Sequence, residues 1–238
     1  MAQNVKITET DIKKIIHCTV EKVLREGSAL DEMAYPVTFN IEQFKKLPSF
    51  AARIRYCQDK LQRIASGSSR IVYKIDNEKV LKLAKNRKGI AQNQNETDYY
   101  LQQIGCFAKV YDFDDENYLW VEMQLARKAK PSDFQRITGY KFDVICAWID
   151  YCRQSYTPGN FYRNRLYDEL FKSKDFQDNY EYSIFYMLQD YLGNYALRNT
   201  GDLQRISSWG VVSNNGQEQL VLVDFGLTDN TYNQYYNR

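Results

Sequence analysis

The N-terminal segment has the apolar spacing of an amphipathic helix. Between residues 7 and 26, apolar side chains recur every three or four positions: Ile12, Ile15, Ile16, Val20, Val23 and Leu24. Thr8 and Asp11 are spaced like a capping box, and Gly27 is a typical stop signal. The pattern predicts a helix whose apolar stripe packs on the domain or docks on a partner, with packing favoured.

Strand patterns follow a short helical stretch over 39–60. Four runs rich in β-branched and aromatic residues are separated by polar turns: RIVYKID, KVLKLAK, FAKVYDFD and NYLWVEMQLA. A helical insert, GIAQNQNETDYYLQQIG, falls between the second and third runs. This order predicts an antiparallel sheet with one helix inserted between two of its strands.

Helical patterns dominate from about Pro131 onward, over 133–154 and 181–199. The chain then returns to strand character in WGVVS and QLVLVDFG, which flank the turn NNGQ and predict a hairpin before a tyrosine-rich tail. The whole pattern predicts an α+β fold.

Composition excludes several classes of protein. The chain has 238 residues, 44% hydrophobic and 26% charged, which is typical of a folded domain and not of a disordered one. A net charge of +2 gives no field to steer nucleic acid or anionic lipid. His17 is the only histidine, and the five cysteines form no C-x-x-C pair, so triads and zinc sites are not expected. Without a long apolar run or a signal-peptide pattern, we expect an intracellular, cytoplasmic protein with no membrane contact.

A small-residue turn and a strand lysine are the first candidate chemistry. In RIASGSSRIVYKI, the turn Ser66–Ser69 leaves backbone N–H groups accessible to phosphate oxygens. Lys82 lies on the next strand, and Glu96 follows fourteen residues later on the helical insert. The apolar neighbours on the insert are expected to face the sheet: Ile90, Tyr99, Tyr100 and Ile104. An ion pair between Lys82 and Glu96 is then geometrically reasonable and would direct the ammonium toward phosphates. The alternative is that both residues are solvated surface charges.

Two aspartates near the C-terminus are the second candidate. Asp224 ends an apolar strand and is followed by Phe225 and Gly226, while Asp202 lies twenty-two residues upstream in NTGDLQRISSWGVV. A carboxylate at a strand end can hold a metal ion against phosphate, and the earlier aspartate lies where a catalytic base is expected.

In this order, the turn, lysine, glutamate and two aspartates resemble the protein-kinase fold over about residues 60–228. The segments GDLQRISSWGVV and LVLVDFGLTD are more narrowly similar to small kinase-like proteins of tailed bacteriophages. The resemblance implies a bilobal, protein-kinase-like fold with a helical extension (1–50), an N-lobe of antiparallel β-sheet (51–126) and a truncated, mostly helical C-lobe (127–238).

The resemblance also implies roles for individual residues, with ATP and Mg²⁺ as cofactors. Catalytic roles would fall to Lys82, Glu96 and Asp202. ATP would contact the Gly-rich turn, Lys82 and an adenine-binding hinge in VEMQLA, which gives Ser66, Gly67, Ser68, Ser69, Glu122 and Gln124. The metal would be held by Asp224 and Ser208.

The chain departs from the kinase pattern in several places. Only Gly67 of three glycines is kept, with Ala65 and Arg70 at the outer positions, and Thr200 and Gly201 replace the histidine and arginine before the base. The expected asparagine is absent, with Ser207 and Ser208 in that stretch, and the chain stops twelve residues after Gly226, without the usual platform for a peptide substrate.

Two functions are consistent with this mixture. The first is an atypical ATP-dependent phosphotransferase with an unknown protein or small-molecule acceptor, in the host cytoplasm or virion if the chain is of phage origin. The second is a pseudokinase that docks on a partner through the N-terminal helix or the tail DNTYNQYYNR. RNA binding through KLAKNRKG is a weaker alternative, because that basic run also suits an exposed loop.

Overall fold

The structure is a computed structural model, which describes residues 39–155, 170, 172–196, 200–214 and 216–236. The predicted helix over 7–26, with its His17 and Cys18, lies outside the described residues. Within them the chain has an α+β fold with antiparallel sheets and helices, as predicted.

A five-stranded antiparallel sheet forms the first half of the described chain. Its strands are β1 (Gln62–Ser66), β2 (Arg70–Lys74), β3 (Lys79–Ala84), β4 (Val110–Phe113) and β5 (Trp120–Gln124). They lie in the order β1-β2-β3-β5-β4. The helical insert separates β3 from β4, and β5 returns to pair with β3, which places β4 at the edge.

The two faces of this sheet contact different parts of the molecule, because side chains alternate along each strand. Leu81 and Leu83 of β3 are fully buried on one face. There they join a cluster under two helices, α1 (Ile41–Lys45) and α2 (Phe50–Lys60), that contributes Phe44 and Cys57. Lys82, between the two leucines, therefore projects from the opposite face.

The helical insert is two helices, α3 (Arg87–Glu96) and α4 (Tyr99–Gln103). Tyr99 and Tyr100 were expected to face the sheet, and this prediction is wrong: they are 55% and 70% exposed. The reason is a break at Thr97, after which the Asp98 carboxylate caps a new helix and changes the helical phase. Glu96, the last residue of α3, is fully buried.

The second half of the described chain is mainly helical, with a three-stranded sheet. The sheet has the order β6-β7-β8, formed by β6 (Arg127–Lys128), β7 (Trp209–Asn214) and β8 (Gln217–Leu222), so the predicted hairpin is present. The helices are α5 (Pro131–Thr138), α6 (Phe142–Ser155), α7 (Lys174–Asn179), α8 (Ile184–Tyr191), α9 (Thr200–Leu203) and α10 (Asp229–Tyr235). Two 3₁₀ turns (Tyr180–Tyr182 and Ile206–Ser208) and a π-helical segment (Leu192–Ala196) complete it.

One apolar cluster joins the two halves. Val121 and Met123 of β5 pack in the same cluster as Trp209 of β7 and Phe225 after β8. Residues Asp229–Tyr235 of the tyrosine-rich tail form α10, in which Thr231 is buried. The Lys88 ammonium of α3 lies 4.5 Å from the centroid of the Tyr236 ring, just after this helix. Among the described helices, none is both long enough and apolar enough to cross a bilayer.

Candidate functional site

The predicted ion pair between Lys82 and Glu96 is present and is almost completely removed from solvent. The Lys82 ammonium donates to both Glu96 carboxylate oxygens, at 3.0 and 2.9 Å, and its third hydrogen bond goes to the Val223 carbonyl at 2.6 Å. Lys82 is 4% exposed and Glu96 fully buried. Burial lowers the pKa of Lys82 and the nearby Arg70 lowers it further, whereas Glu96 opposes the shift.

Arg70 is a member of the site that the sequence did not predict. It occupies an outer position of the Gly-rich turn, and its side chain enters the cluster instead of solvent. Its guanidinium contacts Glu96 Oε2 at 2.7 Å and forms an ion pair with Asp224. Burial disfavours the charged guanidinium, but the carboxylates of Glu96 and Asp224 outweigh this effect and raise the pKa of Arg70.

The backbone around Asp224 is fixed from several directions. The Val223 N–H donates to the Ser208 carbonyl at 2.9 Å, and the buried Tyr191 hydroxyl donates to the Phe225 carbonyl at 2.6 Å. The Phe225 ring stacks on Phe107 with centroids 4.2 Å apart. With Phe225 held in the core, the preceding Asp224 carboxylate is directed outward and its side chain is 60% exposed.

Helix α3 packs directly on the segment that follows Asp224. The Asn95 amide donates to the Gly226 carbonyl at 2.7 Å and to the Thr231 hydroxyl at 2.8 Å. A Cβ added at Gly226 would lie 2.3 Å from the Gln92 carbonyl oxygen. This close approach requires glycine at position 226 and keeps Glu96, on the same helix, beside Lys82.

Asp202 is connected to the segment that presents Asp224 through hydrogen bonds of Ser208. Burial raises the pKa of Asp202, Asp224 raises it further, and Arg205 opposes both through an ion pair at 3.0 Å. The Ser208 hydroxyl donates to the Asp202 backbone carbonyl at 2.7 Å. Four chain segments (β2, β3, α3 and the residues after β8) therefore bring Arg70, Lys82, Glu96 and Asp224 into contact. Ser208 connects the Asp202 carbonyl, at the end of α9, to the Val223 N–H that precedes Asp224.

The Gly-rich turn is held against the start of α3. Lys85 donates to the Gly67 carbonyl at 2.7 Å and Lys88 to the Ser68 hydroxyl at 3.0 Å, while Ser69 donates to Gln92 at 2.5 Å. The Ser66 side chain is exposed at the end of β1. The hydroxyls of Ser68 and Ser69 are thus engaged by the protein, and the Gly67 N–H donates to the Arg70 carbonyl at 2.9 Å. Ligand binding by this turn would therefore fall to the backbone N–H groups of Ser68 and Ser69.

The side chains of Glu122 and Gln124 do not face the site. Glu122 pairs in register with Leu81, so it shares the face opposite to Lys82, where it forms an ion pair with Lys79 at 3.1 Å. Gln124 lies on that face too, and its backbone N–H donates to the Lys109 carbonyl at 2.7 Å. Because strand alternation turns both side chains away, we leave these two predicted nucleotide contacts out of the proposed site.

The predicted metal ligands already have protein partners. Arg70 neutralises Asp224, and the Ser208 hydroxyl, 7% exposed, donates to a carbonyl. The described residues include no group of three or more His, Cys, Asp or Glu side chains placed to hold a metal. Two unit charges about 4 Å apart interact by about 4 kcal/mol at an effective dielectric constant of about 20, so a dication beside Arg70 is disfavoured. The arrangement of Asp224 and Ser208 does not fit a divalent cation. The magnesium site that the sequence predicts there is therefore left out of the proposed site.

Comparisons with known proteins give only distant likenesses. No family model matches the chain, and no curated protein matches it. Among solved structures, it is similar to a choline/ethanolamine kinase family protein from Mesorhizobium loti (TM-score 0.32, 12% identity), covering 71% of this chain and 58% of that one. It is also similar to APH(2″)-IIa in a ternary complex with streptomycin and ATP (TM-score 0.30, 12% identity), covering 76% and 72%. Likenesses this distant leave the function to be argued from the chain's own residues.

Proposed function

We propose that this chain is an atypical, kinase-like phosphotransferase that binds ATP between the five-stranded sheet and the β7–β8 hairpin. The observation that carries the proposal is the convergence of Lys82, Glu96, Asp202 and Asp224. These residues come from four separate segments, and a buried ion pair connects the lysine with the helix. A purely structural ion pair between Lys82 and Glu96 does not require a second acidic residue, Asp202, connected through Ser208 to the segment that presents Asp224.

ATP phosphates would lie under the turn around Gly67, where backbone N–H groups are suited to bind oxyanions. Lys82 would contact the phosphates by exchanging the Val223 carbonyl for a phosphate oxygen, while both Glu96 oxygens keep the ammonium in place. The lobe boundary that we expect at about residues 126 and 127, between β5 and β6, would place the nucleotide where the two sheets meet.

Asp202 would act on the acceptor hydroxyl. The acceptor oxygen attacks the γ-phosphorus, the bond from that phosphorus to the ADP oxygen breaks, and the acceptor proton passes to the Asp202 carboxylate. A raised pKa makes Asp202 a stronger base than an ordinary aspartate, which favours this transfer near neutral pH. ADP leaves with the electron pair of the broken bond.

A binding-only pseudokinase is the second candidate, and one observation favours it. All three Lys82 donors are already satisfied within the protein, and Arg70 occupies Asp224, so the cluster is complete as a purely structural unit. In such a pseudokinase the buried side of the tail would not contact a partner, since Thr231 on that side already packs against α3.

Thermal unfolding with and without ATP, followed by transfer of the radiolabelled γ-phosphate to water, protein or small-molecule hydroxyls, separates the candidates. We expect ATP to raise the melting temperature, and Asp202→Asn to keep this shift while losing label transfer. Asp59→Asn, on the exposed surface of α2, is the matched control and should keep both.

Each outcome assigns the chain to one class. A thermal shift without transfer in the wild type would support the pseudokinase. Absence of a shift with ATP, in magnesium and in EDTA alike, would contradict a nucleotide site altogether.

A further inference from the structure

The Arg70 guanidinium lies between the buried carboxylate of Glu96 and the solvent-exposed carboxylate of Asp224. It contacts Glu96 Oε2 at 2.7 Å and Asn93 Oδ1 at 3.4 Å, and it forms an ion pair with Asp224. Arg70 is only 6% exposed. Among the described residues, no other cation forms an ion pair with Asp224.

The backbone fixes this position at the exit of the Gly-rich turn. Arg70 begins β2 and pairs in register with Ala84, and its carbonyl accepts from the Gly67 N–H at 2.9 Å. The preceding Ser69 is bound to α3 through Gln92. A phosphate chain placed beneath the turn and near Lys82 would therefore meet the Arg70 guanidinium on the side toward Asp224.

The charges of the cluster balance without a metal ion. Arg70 and Lys82 supply two positive charges, and Glu96 and Asp224 supply two negative charges. A guanidinium is charged at all physiological pH values and presents a planar set of donors that matches phosphate oxygens. Displacing it with a dication would leave its positive charge buried without the Asp224 partner.

We propose that Arg70 takes the place of a divalent cation at Asp224, so that the site binds ATP as the metal-free triphosphate, with Arg70 and Lys82 on its β- and γ-phosphates. This role for Arg70 presupposes the nucleotide site proposed above and adds to it the ionic form of the ligand. It also assigns a ligand contact to a position where the kinase pattern has glycine.

Calorimetric titration of ATP in EDTA and in magnesium chloride tests this role. We expect the wild type to bind with dissociation constants that agree within about threefold in the two buffers. Arg70→Gln should weaken binding in EDTA by about tenfold or more, because a charged contact to phosphate is lost. Magnesium should restore part of that loss, because Asp224 is then free. Arg63→Gln, on the exposed strand β1, is the control and should bind like the wild type.

The outcomes separate this role from the nucleotide site itself. Wild-type binding that needs magnesium, with Arg70→Gln binding as tightly or more tightly, would overturn the role of Arg70 while leaving the nucleotide site in place. No binding by the wild type in either buffer would refute both. If Arg70→Gln fails to fold, the wild-type comparison still decides, and Arg70→Lys keeps a charge but should lose the simultaneous contact with Glu96 and Asp224.

Discussion

The Lys82 ammonium donates a hydrogen bond of 2.6 Å to the Val223 carbonyl, across 141 residues of sequence. The same ammonium holds both Glu96 oxygens, so one side chain connects β3, α3 and the segment that presents Asp224. A shift of any one of these elements breaks a buried polar contact, which is costly in a medium of low dielectric constant. The site is therefore a single unit. Substitutions within it should lower the free energy of unfolding by amounts that depend on how many buried ionic partners they remove.

Glu96→Gln should be among the most destabilising substitutions in the site. It removes the negative charge shared by Lys82 and Arg70 and leaves two buried cations with only Asp224 as a carboxylate partner. Removing one partner of a buried ion pair costs about 3–5 kcal/mol. Urea unfolding measures this loss, with the exposed Glu116→Gln as control. A loss below about 1 kcal/mol would contradict the buried network.

Lys82→Met should reduce stability less but abolish nucleotide binding. Glu96 keeps Arg70 as a partner when the ammonium is lost, so we expect a cost of about 1–2 kcal/mol, below that of Glu96→Gln. ATP affinity should fall about tenfold or more, because a direct phosphate contact is removed. Calorimetry and urea unfolding on the same preparation separate the two effects, and Lys60→Met on the surface of α2 should change neither. Unchanged ATP affinity would show that Lys82 is purely structural.

Gly226→Ala should displace α3 from the segment after Asp224. The added Cβ would lie 2.3 Å from the Gln92 carbonyl oxygen, a backbone atom that cannot rotate away. Overpacking of this kind typically costs about 1–3 kcal/mol. Gly201→Ala provides a matched control, since an added Cβ there has no neighbour within 4 Å beyond its two adjacent residues and the backbone of its own helix. Equal melting temperatures for the two variants would contradict the close packing of α3 on Gly226.

Turnover should fall at acid pH as Asp202 becomes protonated. Burial and Asp224 raise the Asp202 pKa, so activity should be lost at a higher pH than for an ordinary aspartate. Arg205→Gln removes the charge that lowers this pKa, and the acidic limb of the kcat/KM profile should move to still higher pH. The exposed Arg55→Gln should leave the profile unchanged. A shift of the limb to lower pH in Arg205→Gln would contradict the assignment of Asp202 as the base.

Periodicity and residue spacing were sufficient to predict most of the strands near the site. β2, β3, β4 and β5 lie within the predicted runs, because alternating β-branched and aromatic residues leave little choice of structure. The β7–β8 hairpin is present as predicted, but its strands reach Asn214 and begin again at Gln217, which the sequence placed in the turn. The contact between Lys82 and Glu96 was also predictable, since a strand followed by a packed helix limits where a residue fourteen positions later can lie.

The remaining features depend on side-chain directions that a single sequence does not specify. In the sequence Arg70 differs from the kinase pattern only by replacing a glycine, yet its side chain turns inward because Glu96 and Asp224 supply partners from distant segments. Glu122 was placed in a hinge, but strand alternation turns its side chain to the other face. The sequence pattern predicts one continuous helix through Asp98, whereas in the structure the Asp98 carboxylate caps a new helix and changes the helical phase after Glu96.

A crystal structure grown with a non-hydrolysable ATP analogue and magnesium tests the central claim most directly. We predict that the triphosphate lies beneath the turn at Gly67, within hydrogen-bond distance of Lys82 and Arg70, with Asp202 facing the γ-phosphate. A nucleotide bound elsewhere, or a triphosphate that contacts neither Lys82 nor Arg70, would contradict the account.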